Sequence, residues 1–395
     1  MKRIFVFCMI IATFLSLQAQ KPSLNKAYNF YYDKDYVKAK EAIDACAQDE
    51  KFSTKAQTWL YKGNIYYFLA NEEYSAKQKD EQYRILYPDA PVDAYDAFAK
   101  SLEINANAEA MDMFSAKEAM KQLYPLLLVR GVDQLIAKEF SAAKNTLAKG
   151  IASYEMDKPQ YPMNGDLYYY YAYALESLGE KDNIILYYQK AIEDGSTNPY
   201  VYVRLMEAYQ KENKSGKVDE VLAKAKVKLP SDNISIRLAE IDYLYWKGDS
   251  VNASSLLHNI PASSVQNADE LVNLANFYIR EKEYGTAKDL LVKANKLSPD
   301  NFVVLYNLGV CTYSLSERLF DQYNKAAISD PNSAQAREFK EKSDECMNQS
   351  ARYFEQARVL EPNDKSLLMT LRAIYARQQS PKYDEIDRLI QSLEK

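Results

Sequence analysis

The feature that most constrains this chain of 395 residues is a period of 34. Starting from Tyr168, Tyr171, Leu175, Tyr188 and Ala191, a shift of 34 positions lands on Tyr202, Leu205, Tyr209, Leu222 and Ala225, each time on the same class of residue. A second register links Leu244 to Tyr278, Ala253 to Ala287 and Leu257 to Leu291 at the same interval. Pro230 and Pro299 are 69 apart, two periods plus one residue, which places the slip near the loop around Lys247. A fixed period of this length means one supersecondary unit repeated, each copy burying its apolar face only against its neighbours. Within a period the spacing is helical. Leu271, Leu274, Ala275 and Tyr278 share one face of a first helix, and Ala287, Leu291 and Ala294 one face of a second. Glu283-Tyr284-Gly285 makes the corner between them. Ser298-Pro299-Asp300-Asn301 ends the unit, because proline disfavours continuing the helix and Asp or Asn can cap the next one. Each period is therefore a helical hairpin.

Composition agrees. There are only 10 glycines against 34 tyrosines. A nucleotide-binding α/β domain spends glycine on phosphate loops and a β-sandwich spends it on hairpins, so both are disfavoured. With 47% apolar and 27% charged residues the chain is neither disordered nor fibrous.

The segment Ala268 to Asn301 resembles a tetratricopeptide repeat (TPR) in its large Leu271 and Leu274, small Ala275, aromatic Tyr278, small Ala287, large Leu291, small Ala294 and Pro299. Pro199 to Asp232 matches through Tyr202, Leu205, Tyr209, Leu222, Ala225 and Pro230, with Met206 and Val218 where the family prefers small residues. Weaker copies surround these. Tyr36, Ala39 and Ile43 mark an incomplete first unit. Trp59, Gly63 and Tyr66 pair with Ala94, Phe98 and Ser101 across an insertion at about 71–91. Leu127, Gly131, Phe140, Ala143 and Leu147 form another unit. Leu305, Leu308 and Gly309 pair with Ser350, Phe354, Ala357 and Pro362 across a charged insertion at about 315–345, and 384–395 reads as a capping helix. The resemblance implies an all-α, right-handed superhelical solenoid of about eight antiparallel hairpins. Its parts are N-terminal hairpins over 20–160, a central array over 165–301 and C-terminal hairpins over 302–395.

Residues 1–19 stand apart. Lys2 and Arg3 precede an apolar run from Ile4 to Leu17, followed by Gln18-Ala19, the pattern of a signal peptide and too short for a membrane span. Export to the bacterial periplasm or beyond is the expectation, with no integral membrane segment after cleavage. Cleavage removes two basic residues, leaving 48 Lys+Arg against 55 Asp+Glu, a net charge of −7. The basic residues are scattered and form no stripe interleaved with aromatics, so nucleic acid is not an expected partner. Cys46, Cys311 and Cys346 remain; one disulfide, preferably Cys311 with Cys346, and buried free thiols are both open.

For function the resemblance implies recognition of a protein or peptide in the concave groove. The groove is lined from the first helix of each hairpin, at Tyr28, Tyr31, Tyr67, Tyr169, Tyr173, Val203, Glu207, Arg237, Tyr245, Asn276, Arg280, Tyr306 and Tyr313. More than half are tyrosines, which suit binding surfaces through large area, a polar tip and little rotamer entropy. Against that, tyrosine also fills the grooves between hairpins, and at least two of Tyr168 to Tyr171 are expected to pack inward. The alternative is a glycan-binding protein of an exported polysaccharide-uptake system, with tyrosines as sugar platforms. The lysine and asparagine clamp with which some relatives hold chaperone C-termini is incomplete, since Asn276 and Asn307 are present but Val272 replaces a lysine. No enzyme is expected. His258 is the single histidine, Glu72-Glu73 reads as a solvated acidic pair, and no catalytic motif, metal-ligand spacing or cofactor loop is found.

Overall fold

The computed structural model describes residues 22–157, 165–330 and 332–393, so the leader read at 1–19 lies outside the described residues. Among those described, every regular element is a helix. The chain divides into two compact units, with the boundary in sequence between Leu205 and Met206. The first holds α1 (Leu24–Tyr32), α2 (Tyr36–Gln48), α3 (Glu50–Ser53), α4 (Ala56–Lys79), α5 (Ala90–Ile104), α6 (Ala116–Met120), α7 (Tyr124–Ile136), α8 (Phe140–Met156), α9 (Asp166–Ser177) and α10 (Ile184–Glu193). The division falls within α11 (Pro199–Lys211). The second unit continues with α12 (Ser215–Lys228), α13 (Ile234–Trp246), α14 (Ser250–His258), α15 (Ala268–Arg280), α16 (Tyr284–Leu297), α17 (Phe302–Ser329), α18 (Ala334–Leu360), α19 (Lys365–Arg377) and α20 (Lys382–Leu393). Helices pack as consecutive hairpins: α1 on α2, α4 on α5, α7 on α8 and α9 on α10 in the first unit, and α13 on α14, α15 on α16, α17 on α18 and α19 on α20 in the second. The fold is all-α and TPR-like.

Local chemistry sets the helix ends. Asn301 Oδ1 accepts from Val304 N at 3.2 Å and Asp364 Oδ1 from Leu367 N at 2.7 Å, satisfying donors that the first turn leaves free. The corners share one device. Lys34, Lys138, Asn213, Lys282 and Gln379 all have left-handed backbone, as do Gly179 and Gly248. The next residue's N–H reaches back to the last turn, as with Glu283 N to the Tyr278 carbonyl at 2.8 Å and Asp249 N to that of Leu244 at 2.9 Å. Short corners therefore do ask for the conformation that glycine favours. The chain is poor in glycine because most of these corners are filled by Lys, Asn or Gln.

Glycine serves instead where helices touch. A Cβ on Gly63 would sit 2.5 Å from the Phe98 ring, one on Gly131 2.5 Å from Leu147 Cγ, and one on Gly309 2.8 Å from the Phe354 ring. In α15 and α16, Leu271, Leu274, Ala275, Tyr278, Ala287, Leu291 and Ala294 are all buried, while Pro299 lies exposed in the turn that follows.

Both insertions are helical in part. Toward the N-terminus α4 runs on to Lys79, and the chain then folds back over it. That return corrects the reading of Glu73 as solvated: its carboxylate is buried and accepts N–H bonds from Leu86 at 2.9 Å and Tyr87 at 2.8 Å. Glu72 is exposed. Toward the C-terminus the charged insertion is the outer part of the α17–α18 hairpin. It is closed by reciprocal bonds in which Ser316 Oγ donates to the Ser343 carbonyl at 2.8 Å and Ser343 Oγ to that of Ser316 at 2.9 Å. Cys46, Cys311 and Cys346 are free thiols, and burial pushes Cys311 up to about 12. No described helix is long and apolar enough to cross a membrane.

Candidate functional site

The first-helix faces carry three groups of the residues singled out above. In the first unit, α1 and α4 present Tyr28, Tyr31 and Tyr67 beside the loop that follows α5. Buried Asn64 fixes that loop: its amide donates to the Phe114 carbonyl at 3.0 Å, and Phe114 N donates back to Asn64 Oδ1 at 3.0 Å. Phe114 then stacks on Phe68 with centroids 5.9 Å apart, and Phe68 stacks on Tyr36 at 5.8 Å. Tyr31 and Tyr67 meet Phe68 edge-on at 5.5 and 5.3 Å. These five rings form one cluster, with Phe114, Met111 and Tyr32 exposed at or near it. The phenols are engaged. Tyr28 donates to Asp112 Oδ2 at 3.1 Å, Tyr31 to the Asp112 carbonyl at 3.3 Å and Tyr67 to Gln122 Oε1 at 3.3 Å. Burial pushes Tyr31 up to about 12, so its hydroxyl stays a donor at any physiological pH.

A second group sits on α9. Of the run Tyr168 to Tyr171, Tyr168 is buried and the other three are half-buried. Tyr169 packs edge-on against Tyr170 at 4.9 Å, and its phenol lies in the field of Tyr173, Tyr200 and Arg204. Burial pushes Tyr169 up to about 12. Tyr173 is half-buried and Tyr200 exposed, so this group presents rings to solvent. Val203 and Glu207, both on α11, are half-buried.

The third group lies in the second unit. Tyr245 is buried, donates its phenol to Glu281 Oε1 at 2.5 Å and carries the Arg280 guanidinium 4.1 Å from its ring centroid. Arg237 is turned to structural use, donating to the Asn259 carbonyl at the end of α14 at 2.8 Å. Asn276 accepts from Asn307 at 2.9 Å, and Val272 between α15 neighbours is buried. Tyr306 stacks on Phe302 at 5.7 Å and meets Phe354 edge-on at 5.5 Å. Tyr313 is half-buried and raised by that burial.

The structure thus brings Tyr28, Tyr31 and Tyr67 together, places Tyr173 near Tyr169, stacks Arg280 over Tyr245 and leaves Arg237 occupied. Spacing did not point to Phe68, Asn64, Asp112 or Phe114. Phe68 falls between signature positions, and the loop around Asp112 has no helical period to read. Only the adjacency of Phe68 to Tyr67 was a signal.

No family model matches the chain, and a search of curated proteins returns no significant match. Solved structures do resemble it. Yeast Tom70 is 12% identical with a TM-score of 0.47, covering 93% of this chain and 83% of that one. The human IFIT1 dimer with m7Gppp-AAAA is 15% identical with a TM-score of 0.45, over 91% of this chain and 77% of that one. A tetratricopeptide repeat protein from Parabacteroides merdae is 12% identical with a TM-score of 0.41, over 73% and 96%. The TPR-like description of the fold rests on the paired helices and the close glycine contacts above.

Chemically, these faces offer flat apolar rings, neutral phenols and backbone or side-chain acceptors. They suit burial of apolar side chains with hydrogen bonds at the rim.

Proposed function

We propose that the chain is a non-catalytic scaffold that holds a polypeptide partner against the first-helix faces of its hairpins, in the bacterial cell envelope. The observation that carries this reading is the aromatic surface on α1, α4 and α9, where half-buried rings are fixed in place and their neighbours Tyr32, Phe114 and Tyr200 are exposed. Rigid aromatic anchors lose little entropy on binding and concentrate binding energy. Envelope location follows from the basic start and apolar run of residues 2–17.

The test is site-specific photocrosslinking in the native cell. A benzophenone amino acid at position 32 or 200 should yield a discrete polypeptide adduct, and the same group at Val227 or Val359, exposed on α12 and α18, should not. Equal labelling from all four positions refutes the face assignment. Retention of a sugar on a glycan array, abolished by Tyr169→Ala, would replace the polypeptide by a glycan.

A further inference from the structure

We propose that His258, Glu281 and Glu283 bind one divalent transition-metal cation of the zinc type, tying the end of α14 to the corner between α15 and α16. His258 is the last residue of α14, while Glu281 and Glu283 flank the left-handed Lys282 that turns α15 into α16. His258 Nε2 lies 3.0 Å from Glu283 Oε1 and 3.8 Å from Glu281 Oε2, and one ligand atom from each residue falls within 4.8 Å of the others. Ligands held about 2.1 Å from a tetrahedral metal are about 3.4 Å apart, and the two observed separations bracket that value.

The groups around the three residues point the same way. His258 Nδ1 lies 2.8 Å from the Ser254 carbonyl. A carbonyl only accepts, so Nδ1 carries a proton and Nε2 is the ring nitrogen turned to the two carboxylates, where a metal would take the place of the Nε2 proton. The Tyr245 phenol occupies Glu281 Oε1 at 2.5 Å, leaving Oε2 turned toward the imidazole. The ring itself is steadied edge-on against Tyr278 at 5.6 Å. Outer hydrogen bonds of this kind, imidazole N–H to backbone carbonyl and phenol to carboxylate, orient metal ligands. Nε2 and two carboxylate oxygens converge here. One proton on Nε2 would serve Glu283 and leave Glu281 Oε2 without a bond from the ring, whereas a divalent cation serves all three and neutralises both carboxylate charges. A nitrogen with two carboxylate oxygens suits zinc better than calcium or magnesium, which favour all-oxygen sets. His258 is exposed, so a coordination position stays open to water or to a partner's side chain.

The experiment uses the full chain, stripped with chelator and titrated with zinc chloride by calorimetry, with bound zinc measured after dialysis. The expected result is one zinc per chain, lost in both His258→Gln and Glu283→Gln. Tyr245→Phe, which keeps the three ligands, should weaken binding about ten- to a hundredfold. Cys346→Ala should bind as the parent does. The proposal is overturned if a folded parent takes up no stoichiometric zinc, or if His258→Gln with parental circular dichroism binds zinc as tightly as the parent.

Discussion

The close glycine contacts give a prediction in which two ordinary effects oppose each other. Replacing a helical glycine by alanine normally stabilises a helix by about 1 kcal/mol, because it removes backbone freedom from the unfolded chain. At Gly63 in α4 the new methyl would lie 2.5 Å from Phe98 Cδ1 and Cε1 and 2.8 Å from Cγ. Relaxed carbon contacts sit at about 3.5 to 4.0 Å, so α4 and α5 would have to part by about 1 Å or the ring leave its rotamer. Phe98 is fully buried, so the ring cannot swing out into solvent without breaking its packing. Overpacking of this kind costs about 1 to 3 kcal/mol. An overlap against three atoms of one rigid ring belongs in the upper half of that range. After the helical gain, Gly63→Ala should be destabilised by about 1 to 2 kcal/mol net. Gly216→Ala in α12 and Gly285→Ala in α16 are the controls, since nothing lies within 4 Å of a Cβ at either. They sit in first turns and should gain about 0.5 kcal/mol. The assay is the urea midpoint of each variant, with amide hydrogen exchange along α4 and α5 to locate the effect. A Gly63→Ala protein as stable as its parent, with α4 and α5 equally protected, would refute the helix contact.

The same argument extends to the signature alanines: Ala287→Leu or Ala294→Leu, both fully buried, should cost about 1 to 3 kcal/mol in the urea midpoint, and parental stability would refute the register. Acid should weaken the seam between α2 and α4. Burial alone would raise the Asp44 carboxyl, but hydrogen bonds from Lys40, Lys62 and Tyr66 outweigh it and hold the group below the usual range. A pKa lower in the folded than in the unfolded chain contributes stability above about pH 4, the ordinary carboxylate value, and loses it as pH falls toward the folded value. The stability gap between parent and Asp44→Asn should therefore be full at neutral pH and shrink below pH 4, and a constant gap from pH 7 to 3 would contradict the assignment.

The hairpins were legible because their determinants are local and periodic. Leu271, Leu274, Ala287 and Leu291 repeat at helical spacing, and burial of one face follows from that spacing alone. Where the chain leaves the period the sequence is mute. Glu73 reads as one of an exposed acidic pair, yet it is buried because residues 80–89 return over α4 and offer it two backbone N–H groups, a contact that no helical spacing encodes. Asn64 is similar: its place within α4 is periodic, but its partner Phe114 lies 50 residues away in a loop. His258, Glu281 and Glu283 meet only because successive hairpins stack. Their separation in sequence matches no ligand motif, although the period itself brings the end of one hairpin beside the corner of the next.

The tyrosine excess divides along the same line. Much of it is structural, and a single arrangement recurs. Tyr66 donates to Asp44 at 2.8 and 2.7 Å, Tyr154 to Asp194 at 2.9 Å, Tyr188 to Glu176 at 3.1 Å, Tyr245 to Glu281 at 2.5 Å and Tyr375 to Glu355 at 2.5 Å. In each, the ring fills a buried site and the phenol emerges where a carboxylate waits. Phenylalanine would fill the same volume but take one hydrogen bond from the carboxylate, which at Asp44 and Glu355 is shared with lysine or arginine donors. A donor on an apolar ring serves both the buried site and the carboxylate, an arrangement that favours tyrosine over phenylalanine in a chain that holds 34 of the one and 14 of the other. Tyr32, Tyr173 and Tyr200 belong to none of these five pairs and keep their rings half-buried or exposed, and the binding reading is narrowed to them and to the cluster around Phe68.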